Sequence, residues 1–390
     1  MGKRFGAIAA VCAVVALWLP ARGASATESA VSITSCGQVI TTDAVLRRNL
    51  DCSGDALTVE ASNLTVRLGG HTISSTDGTG AGIRLVCPID TCDNDVDIRD
   101  GTIEGFSAAV TGGDDEDPSY GRGERLEDMK LIDNTWGIYL PVALEFTVDH
   151  TTIEGINGIG KFGPFSGSVQ ISRSRIAVSG VSLALSESGL NTVDSSRVDG
   201  GSIAANATLS VTHSRITGVS LFCGDVGVEV STSVLVDDDL EPGPGCAQSY
   251  HGDRFAGPGS GVAVALQFWD GQSITDSDFT GWSTGVVIRS SRRVVLTGNT
   301  FRQDGVGVEV TDCSGSCSSS GTISDNRFVH NTGTGVLLPT GTWDVGSNTF
   351  LRNGGLGIDA EGPDLAVIDD GGNVARRNLS PQCIGVVCTR

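Results

Sequence analysis

The chain has little of what most folds rely on. Of its 390 residues, 2 are Met, 3 are Tyr and 5 are Trp, and aromatics make up only 5%. Lys3, Lys130 and Lys161 are its lysines. No stretch carries apolar residues at helical spacing over several turns, which excludes a coiled coil and a helical bundle. Positive charge is also short: Lys+Arg is 26 against 46 Asp+Glu, a net charge of -20. An acidic surface repels phosphates, so nucleic acid is a poor partner. Past residue 26 no apolar run is long enough to span a membrane.

What is abundant is glycine, with 54 residues, alongside small and β-branched residues. The start reads as a targeting segment. Lys3 and Arg4 are followed by an uncharged apolar run from Phe5 to Leu19, and Ala24-Ser25-Ala26 offers small residues for cleavage. Residues 1–26 therefore read as a secretory signal peptide, with one domain over residues 27–390. Cys12 leaves with that segment. The other ten cysteines fall in sequence-local pairs: Cys36 with Cys52, Cys87 with Cys92, Cys223 with Cys246, Cys313 with Cys317, and Cys383 with Cys388. Five disulfides formed outside the cytoplasm are the expectation. Zinc fingers are disfavoured, since no histidine pair accompanies the cysteines at finger spacing.

The informative feature is a repeat. An apolar residue is followed three later by a small residue or Asn, and two later by another apolar residue. Copies include Val148/Thr151/Ile153, Ile171/Ser174/Ile176, Leu296/Asn299/Phe301, Ile323/Asn326/Phe328 and Val345/Asn348/Phe350. Earlier copies are read at Leu68/His71/Ile73, Ile98/Gly101/Ile103 and Leu131/Asn134/Trp136. A second pattern, Gly-apolar-x-apolar, follows each copy, as in Gly285-Val-Val-Ile288 and Gly335-Val-Leu-Leu338. A recurrence of roughly 22 residues, with alternation at period 2, predicts an all-β solenoid of roughly 12 coils. The middle residue of the first pattern belongs in a tight turn, where its short side chain bonds to backbone. Asn299, Asn326 and Asn348 are expected to stack as a ladder. Residues 43–59 and Cys383 to Cys388 are expected to cap the two ends.

With these repeats the chain resembles the secreted right-handed parallel β-helix proteins of the pectate-lyase-like superfamily. The residues that carry the resemblance are Cys36-Gly-Gln-Val-Ile40, Leu68-Gly-Gly-His-Thr-Ile73, the Asn-Thr-Phe turns at 299 and 348, and Asp370-Gly-Gly-Asn373 with Gln382-Cys383. The resemblance implies the fold. It implies function only broadly, because that architecture hosts lyases, hydrolases, epimerases and non-catalytic surface proteins. The Asn-Thr-Asp, Gly-His-Gly and Arg-Ile-Lys segments of its polygalacturonases do not occur in this chain. Val148-Asp149-His150 is similar to a pectate lyase segment, but it falls on a repeat turn and reads as ordinary turn residues.

Two departures from the period stand out, near 112–126 and 237–259, and both read as loop insertions. The acidic turns hold Asp93, Asp95 and Asp97, then Asp114 and Asp115 on the next coil. Crowded carboxylates suit a hard cation, so Ca²⁺ is the candidate ion. Arg84, Tyr139 and Lys161 are expected outward on one strand face beside those turns. A lyase acting on uronic acids needs its substrate carboxylate neutralised, a base and an acid. Ca²⁺ or Arg84 suits the first role, Lys161 or Tyr139 the others. Trp269, Trp282 and Tyr250 are the candidate sugar platforms. The expected function is a secreted protein that binds extracellular polysaccharide, with uronic-acid lyase chemistry as its sharpest form. The alternative is a non-catalytic cell-surface or matrix protein.

Overall fold

A computed structural model describes residues 30–86, 95–112, 123–140, 145–162, 167–185, 189–224, 226–238, 240, 246–311, 319–379 and 381–390. Among these residues the chain is strand and turn, with no helix. It winds as a solenoid of about 14 turns. Most turns contribute to three parallel sheets, each strand pairing with its counterpart in the next turn; among the described residues the third sheet breaks after Ser220–Cys223 and resumes at Val262–Gln267. In the first sheet Val148, Ile171, Val193 and Val211 stand in register. In the second the series is Ile153, Ile176, Val198 and Ile216. In the third it is Ile159, Leu183, Ile203 and Leu221. All of these point inward and are buried. Alternation thus does what the sequence implies: one residue in two enters a core that no single coil could enclose.

The corner between the first and second sheets is tied by a side-chain ladder. The amide of Ser174 donates to Ser196 Oγ at 3.0 Å, that of Ser196 to Ser214 Oγ at 3.1 Å, and that of Ser214 to Ser233 Oγ at 3.1 Å. Asp253 and Ser277 continue it to Asn299, Asn326, Asn348 and Asn373. At the other end the amides of Met129 and Thr151 join through Thr151 and Ser174. The two residue types solve one problem differently. A serine hydroxyl donates to a carbonyl two residues back, as Ser174 does to Ser172 at 2.7 Å. An asparagine amide reaches the preceding coil, as Asn326 does to the Leu296 carbonyl at 2.8 Å. A shorter ladder runs through Asp304, Asn331, Asn353 and Asn378 at the corner leading into the third sheet.

In the C-terminal half the second sheet carries rings. Phe255, Phe279, Phe301, Phe328 and Phe350 stack with centroids 4.4 to 5.1 Å apart. The glycine that opens the third-sheet strand makes room for them. A Cβ at Gly307 would lie 2.5 Å from Phe328 Cδ1, and one at Gly285 2.7 Å from Phe301 Cδ1.

Several expectations are corrected. Within 237–259, residues 239 and 241–245 lie outside the described residues, and residues 247–256 are no loop, because strands Ala247–His251 and Arg254–Ala256 form a regular coil. Tyr250, Asp253 and Phe255 fill its three repeat positions, and a tyrosine and an aspartate there hid the copy. The repeat expected at Leu131/Asn134/Trp136 lies five residues earlier, since Leu126 pairs with Ile98 and Leu131 with Ile103. Asn134 serves the next corner, accepting from the Phe106 amide at 2.9 Å. Most of the insertion expected near 112–126 lies outside the described residues, but residues 124–126 are already strand. Residues 43–59 are no cap either: Ala44–Leu46 is paired on both sides, with Val31–Ile33 and Leu64–Arg67. At the other end Cys383–Ile384 does close the third sheet against Ile358–Asp359.

Three of the five expected disulfides are present among the described residues. They join Cys36 to Cys52, Cys223 to Cys246 and Cys383 to Cys388. The other two expected bonds fall elsewhere: Cys87 and Cys92 lie outside the described residues, and so do Cys313 and Cys317.

Phe328 is fully buried between two rings. Phe328→Ala is expected to cost ~3–5 kcal/mol in denaturant unfolding. A loss below about 1 kcal/mol would mean that the ring column does not carry the core.

Three ladder or corner positions hold aspartate instead of asparagine. Burial pushes Asp238 and Asp304 up to about 7 and Asp253 to about 6, against hydrogen bonds from backbone amides. An unfolded aspartate titrates near ~3.9, so the fold holds these protons longer. Their contribution is fully present below about pH 4 and is lost as pH rises through ~6–7. Asp304 Oδ2 is buried with no partner, at a position equivalent to Asn331 and Asn353, whose Nδ2 groups donate to Phe301 and Phe328 carbonyls. Asp304→Asn is therefore expected to raise Tm near pH 8 and to flatten its fall between about pH 5 and 8. An equal or steeper fall would contradict this.

Candidate functional site

The face with chemistry on it is the outer side of the third sheet. In Gly-apolar-x-apolar the apolar residues enter the core and x points out. Gly82-Ile-Arg-Leu85 and Gly137-Ile-Tyr-Leu140 accordingly present Arg84 and Tyr139, while Ile83, Leu85, Ile138 and Leu140 are buried. The outward column runs through Arg84, Thr111, Tyr139, Gly160, Ala184 and Ala204. It ends on Phe222, which is exposed.

Around Tyr139 the column carries a cluster of three rings. Trp136 lies 5.8 Å from Tyr139 and 5.4 Å from Phe162, and Tyr139 lies 5.5 Å from Phe162, centroid to centroid. Trp136 and Tyr139 are half-buried, and Phe162 is 46% exposed. Gly160 is the seat of the cluster: a Cβ there would lie 2.4 Å from Phe162 and 2.7 Å from Trp136. Beyond Gly160 the small side chains of Ala184 and Ala204 leave the sheet flat. Two coils before Tyr139, Arg84 makes a two-point pair with Asp55, Nε to Oδ2 at 2.6 Å and Nη2 to Oδ1 at 3.1 Å. The Arg84 hydrogen bond is the main reason that Asp55 titrates below its ordinary range.

Lys161 does not stand with them. It occupies the second apolar position of Gly158-Ile-Gly-Lys161, in register with Leu140 and Leu185, and is fully buried. Its Nζ donates to the Gly167 carbonyl. Burial lowers its pKa. The platforms expected at Tyr250 and Trp282 are also inside. Tyr250 packs edge-on to Phe255 and donates to Gln248 Oε1 at 2.9 Å. Trp282 is 4% exposed, seated over Gly257. Trp269 is half-buried, coils away from Tyr139.

Of the acidic residues expected to hold Ca²⁺, Asp93, Asp114 and Asp115 lie outside the described residues. Asp95 is exposed, and Asp97 faces Arg99 at 3.5 Å. Among the described residues no three His, Cys, Asp or Glu side chains are grouped to hold a metal. Asp149, from the lyase-like segment, is a structural hub. It accepts from Ser172 at 2.7 Å, from Arg125 at 3.2 Å and from Arg173. Burial raises its pKa, but the hydrogen bonds from Arg173 and Ser172 and the electrostatic pull of Arg173 and His150 outweigh it and leave the group low.

Sequence reasoning missed Trp136 and Phe162. The signal was present: once the motif places Ile159 and Lys161 inward, Gly160 and Phe162 must face out, next to Tyr139.

A family model described as the right-handed beta helix region matches residues 260–386. Together with the strand register over the rest of the chain, this makes the protein a right-handed parallel β-helix. No curated protein matches it by sequence. Among solved structures it is similar to the catalytic domain of a GH87 alpha-1,3-glucanase in complex with tetrasaccharides, at 10% identity and a TM-score of 0.36, covering 89% of this chain and 65% of that one. It is similar to the tailspike protein 3 of bacteriophage CBA120, at 12% identity and a TM-score of 0.35, covering 90% and 58%. A third likeness is to the A-module of the Azotobacter vinelandii mannuronan C-5 epimerase AlgE6, at 12% identity and a TM-score of 0.37, covering 90% and 91%. The chain thus spans less than two thirds of the first two structures. The fold rests on the strand register and the family match, not on these distant likenesses.

The position of Lys161 makes a direct prediction. Lys161→Met keeps length and volume and is expected to leave Tm within a few degrees of the parent. Lys161→Ala opens a core cavity and is expected to cost ~2–4 kcal/mol. Equal, negligible effects of both would return Lys161 to the surface.

Proposed function

We propose that the protein is exported and binds a polysaccharide on the outer face of its third sheet. The observation that carries this reading is the ring cluster of Trp136, Tyr139 and Phe162, half exposed over a flat strip of small residues. Aromatic rings offer sugars a large apolar face with little rotamer entropy to lose, and the Tyr hydroxyl adds a polar handle. Arg84 supplies a polar group along the same column. The solenoid repeats at one coil per ~4.8 Å, so the face is linear and suits an extended polymer. Export is supported by the apolar start of the chain and by three disulfides. No helix among the described residues is long and apolar enough to cross a membrane.

With Lys161 inside, only Tyr139 of the two groups expected to serve as base and acid faces out, so binding is the function the geometry supports best. A polysaccharide panel in affinity electrophoresis, followed by ultraviolet absorbance for unsaturated products, tests both statements. Retardation by at least one polysaccharide without new absorbance is the expected result. Phe162→Ala is expected to weaken that binding about five- to tenfold, roughly 1–1.4 kcal/mol, with Tm almost unchanged. Retained affinity in this variant would overturn the assignment of the face.

A further inference from the structure

The corner between the first and second sheets carries a second feature, away from the ring cluster. The residue before each ladder position is left-handed, with φ of 46° at His150, 47° at Arg173 and 49° at Ser195, His213 and Thr232. Their side chains line up along the rod over successive coils. One residue past each ladder position starts a second column, in which Arg175, Arg197 and Arg215 are direct register partners. The run is bounded by Thr152 on one side and Val234 on the other. Between the two columns lies a groove of ≈ 420 Å³. Its charged and titratable lining is Arg173, Arg175, Arg197, Arg215, His150 and His213, and among the described residues no carboxylate lines it.

This is unexpected in a chain with 26 basic and 46 acidic residues. Like charges directly opposite on neighbouring strands are unfavourable, and three arginines stand so in succession. The carboxylates that offset them sit outside the groove. Arg175 pairs with Glu154 and, at 3.4 Å, with Asp199; Arg197 pairs with Asp199 at 2.6 Å; Arg173 pairs with Asp149. The side chains of Arg173, Arg175 and Arg197 remain 46 to 54% exposed. A guanidinium has five N–H donors, more than these pairs consume.

We propose that this groove binds a linear anionic polysaccharide, its carboxylates or sulfates taken by the arginine column along the rod axis. The spacing fits a polymer with about one charge per sugar better than nucleic acid. Duplex DNA carries a charge every ~1.7 Å of its axis, against one arginine per coil at ~4.8 Å in the Arg175/Arg197/Arg215 column. No aromatic side chain other than the two histidines lines the groove, so bases would find little stacking platform. The acidic remainder of the surface is no obstacle to a local site, because charges more than ~8 Å away are screened at physiological salt. The proposal does not depend on the aromatic face, which is a separate surface.

The test uses the full chain with dextran sulfate and polygalacturonate as probes and uncharged dextran as control. Both anionic probes are expected to bind with an affinity that falls as salt rises, and dextran is not. Arg197→Gln with Arg215→Gln is expected to lose at least about tenfold, whereas Arg292→Gln with Arg293→Gln, of equal charge change, is not. Phe162→Ala is expected to leave anionic binding unchanged, which separates the two surfaces. Ser195→Asp removes no arginine, suits the left-handed backbone and puts a carboxylate in the groove; it is expected to weaken binding even if the arginine variant fails to fold. Unchanged binding in Ser195→Asp, equal loss in the control pair, or equally tight binding of polyphosphate would each overturn the proposal.

Discussion

One hydrogen bond, repeated from coil to coil, governs this structure. At the corner between the first two sheets the backbone turns out of strand geometry, and its amide is buried. A buried amide without an acceptor is worth ~1–3 kcal/mol against the fold. In each coil from Met129 to Asn348 that amide finds its acceptor in the side chain of the next coil. The rest follows from this bond. The side chain must be short and must point inward, which leaves Ser, Thr, Asn or Asp. The residue before it must turn left-handed, which sends its own side chain into solvent. The same bond that stacks the coils therefore lays out an exposed column, and on five coils that column borders the arginine groove.

The ladder also sorts the chain into two halves. Serine serves from Ser174 to Ser233, with valine, isoleucine and leucine in the second sheet. Asparagine serves from Asn299 to Asn373, with phenylalanine in the second sheet up to Phe350. Asp253 and Ser277 lie at the junction, and the ring column begins at Phe255. Asp253 at this junction and Asp304 in the shorter ladder are exceptions with a consequence. They accept the same amide bonds as asparagine but cannot donate unless protonated, and burial accordingly holds their protons towards neutrality.

Fold was legible because its cause is periodic. The triplet read as apolar, small, apolar is the ladder with its two flanking core positions, and most of its copies from Val148 to Phe350 were visible without any structure. The failures were local and physical. Tyr250/Asp253/Phe255 broke the composition of the repeat while keeping its geometry, so a coil looked like a loop. Leu126/Met129/Leu131 has a methionine at the turn, and the nearby Asn134 drew the register five residues on. The candidate face was half legible. Arg84 and Tyr139 were placed outward correctly, but Lys161 was set beside them because a charge is expected in water, although its motif position is a core position. The arginine groove went unread. Arg175, Arg197 and Arg215 are separated by 22 and 18 residues, and only the strand register brings them into one line.

Native-state hydrogen exchange tests the ladder most directly, because it reports each amide separately. The account predicts that the amides of Ser174, Ser196, Ser214, Asn299 and Asn326 are protected to nearly the global stability of the fold, as strand amides in its core are. Exchange of these amides at the rate of exposed turn amides, with the flanking strands still protected, would contradict it.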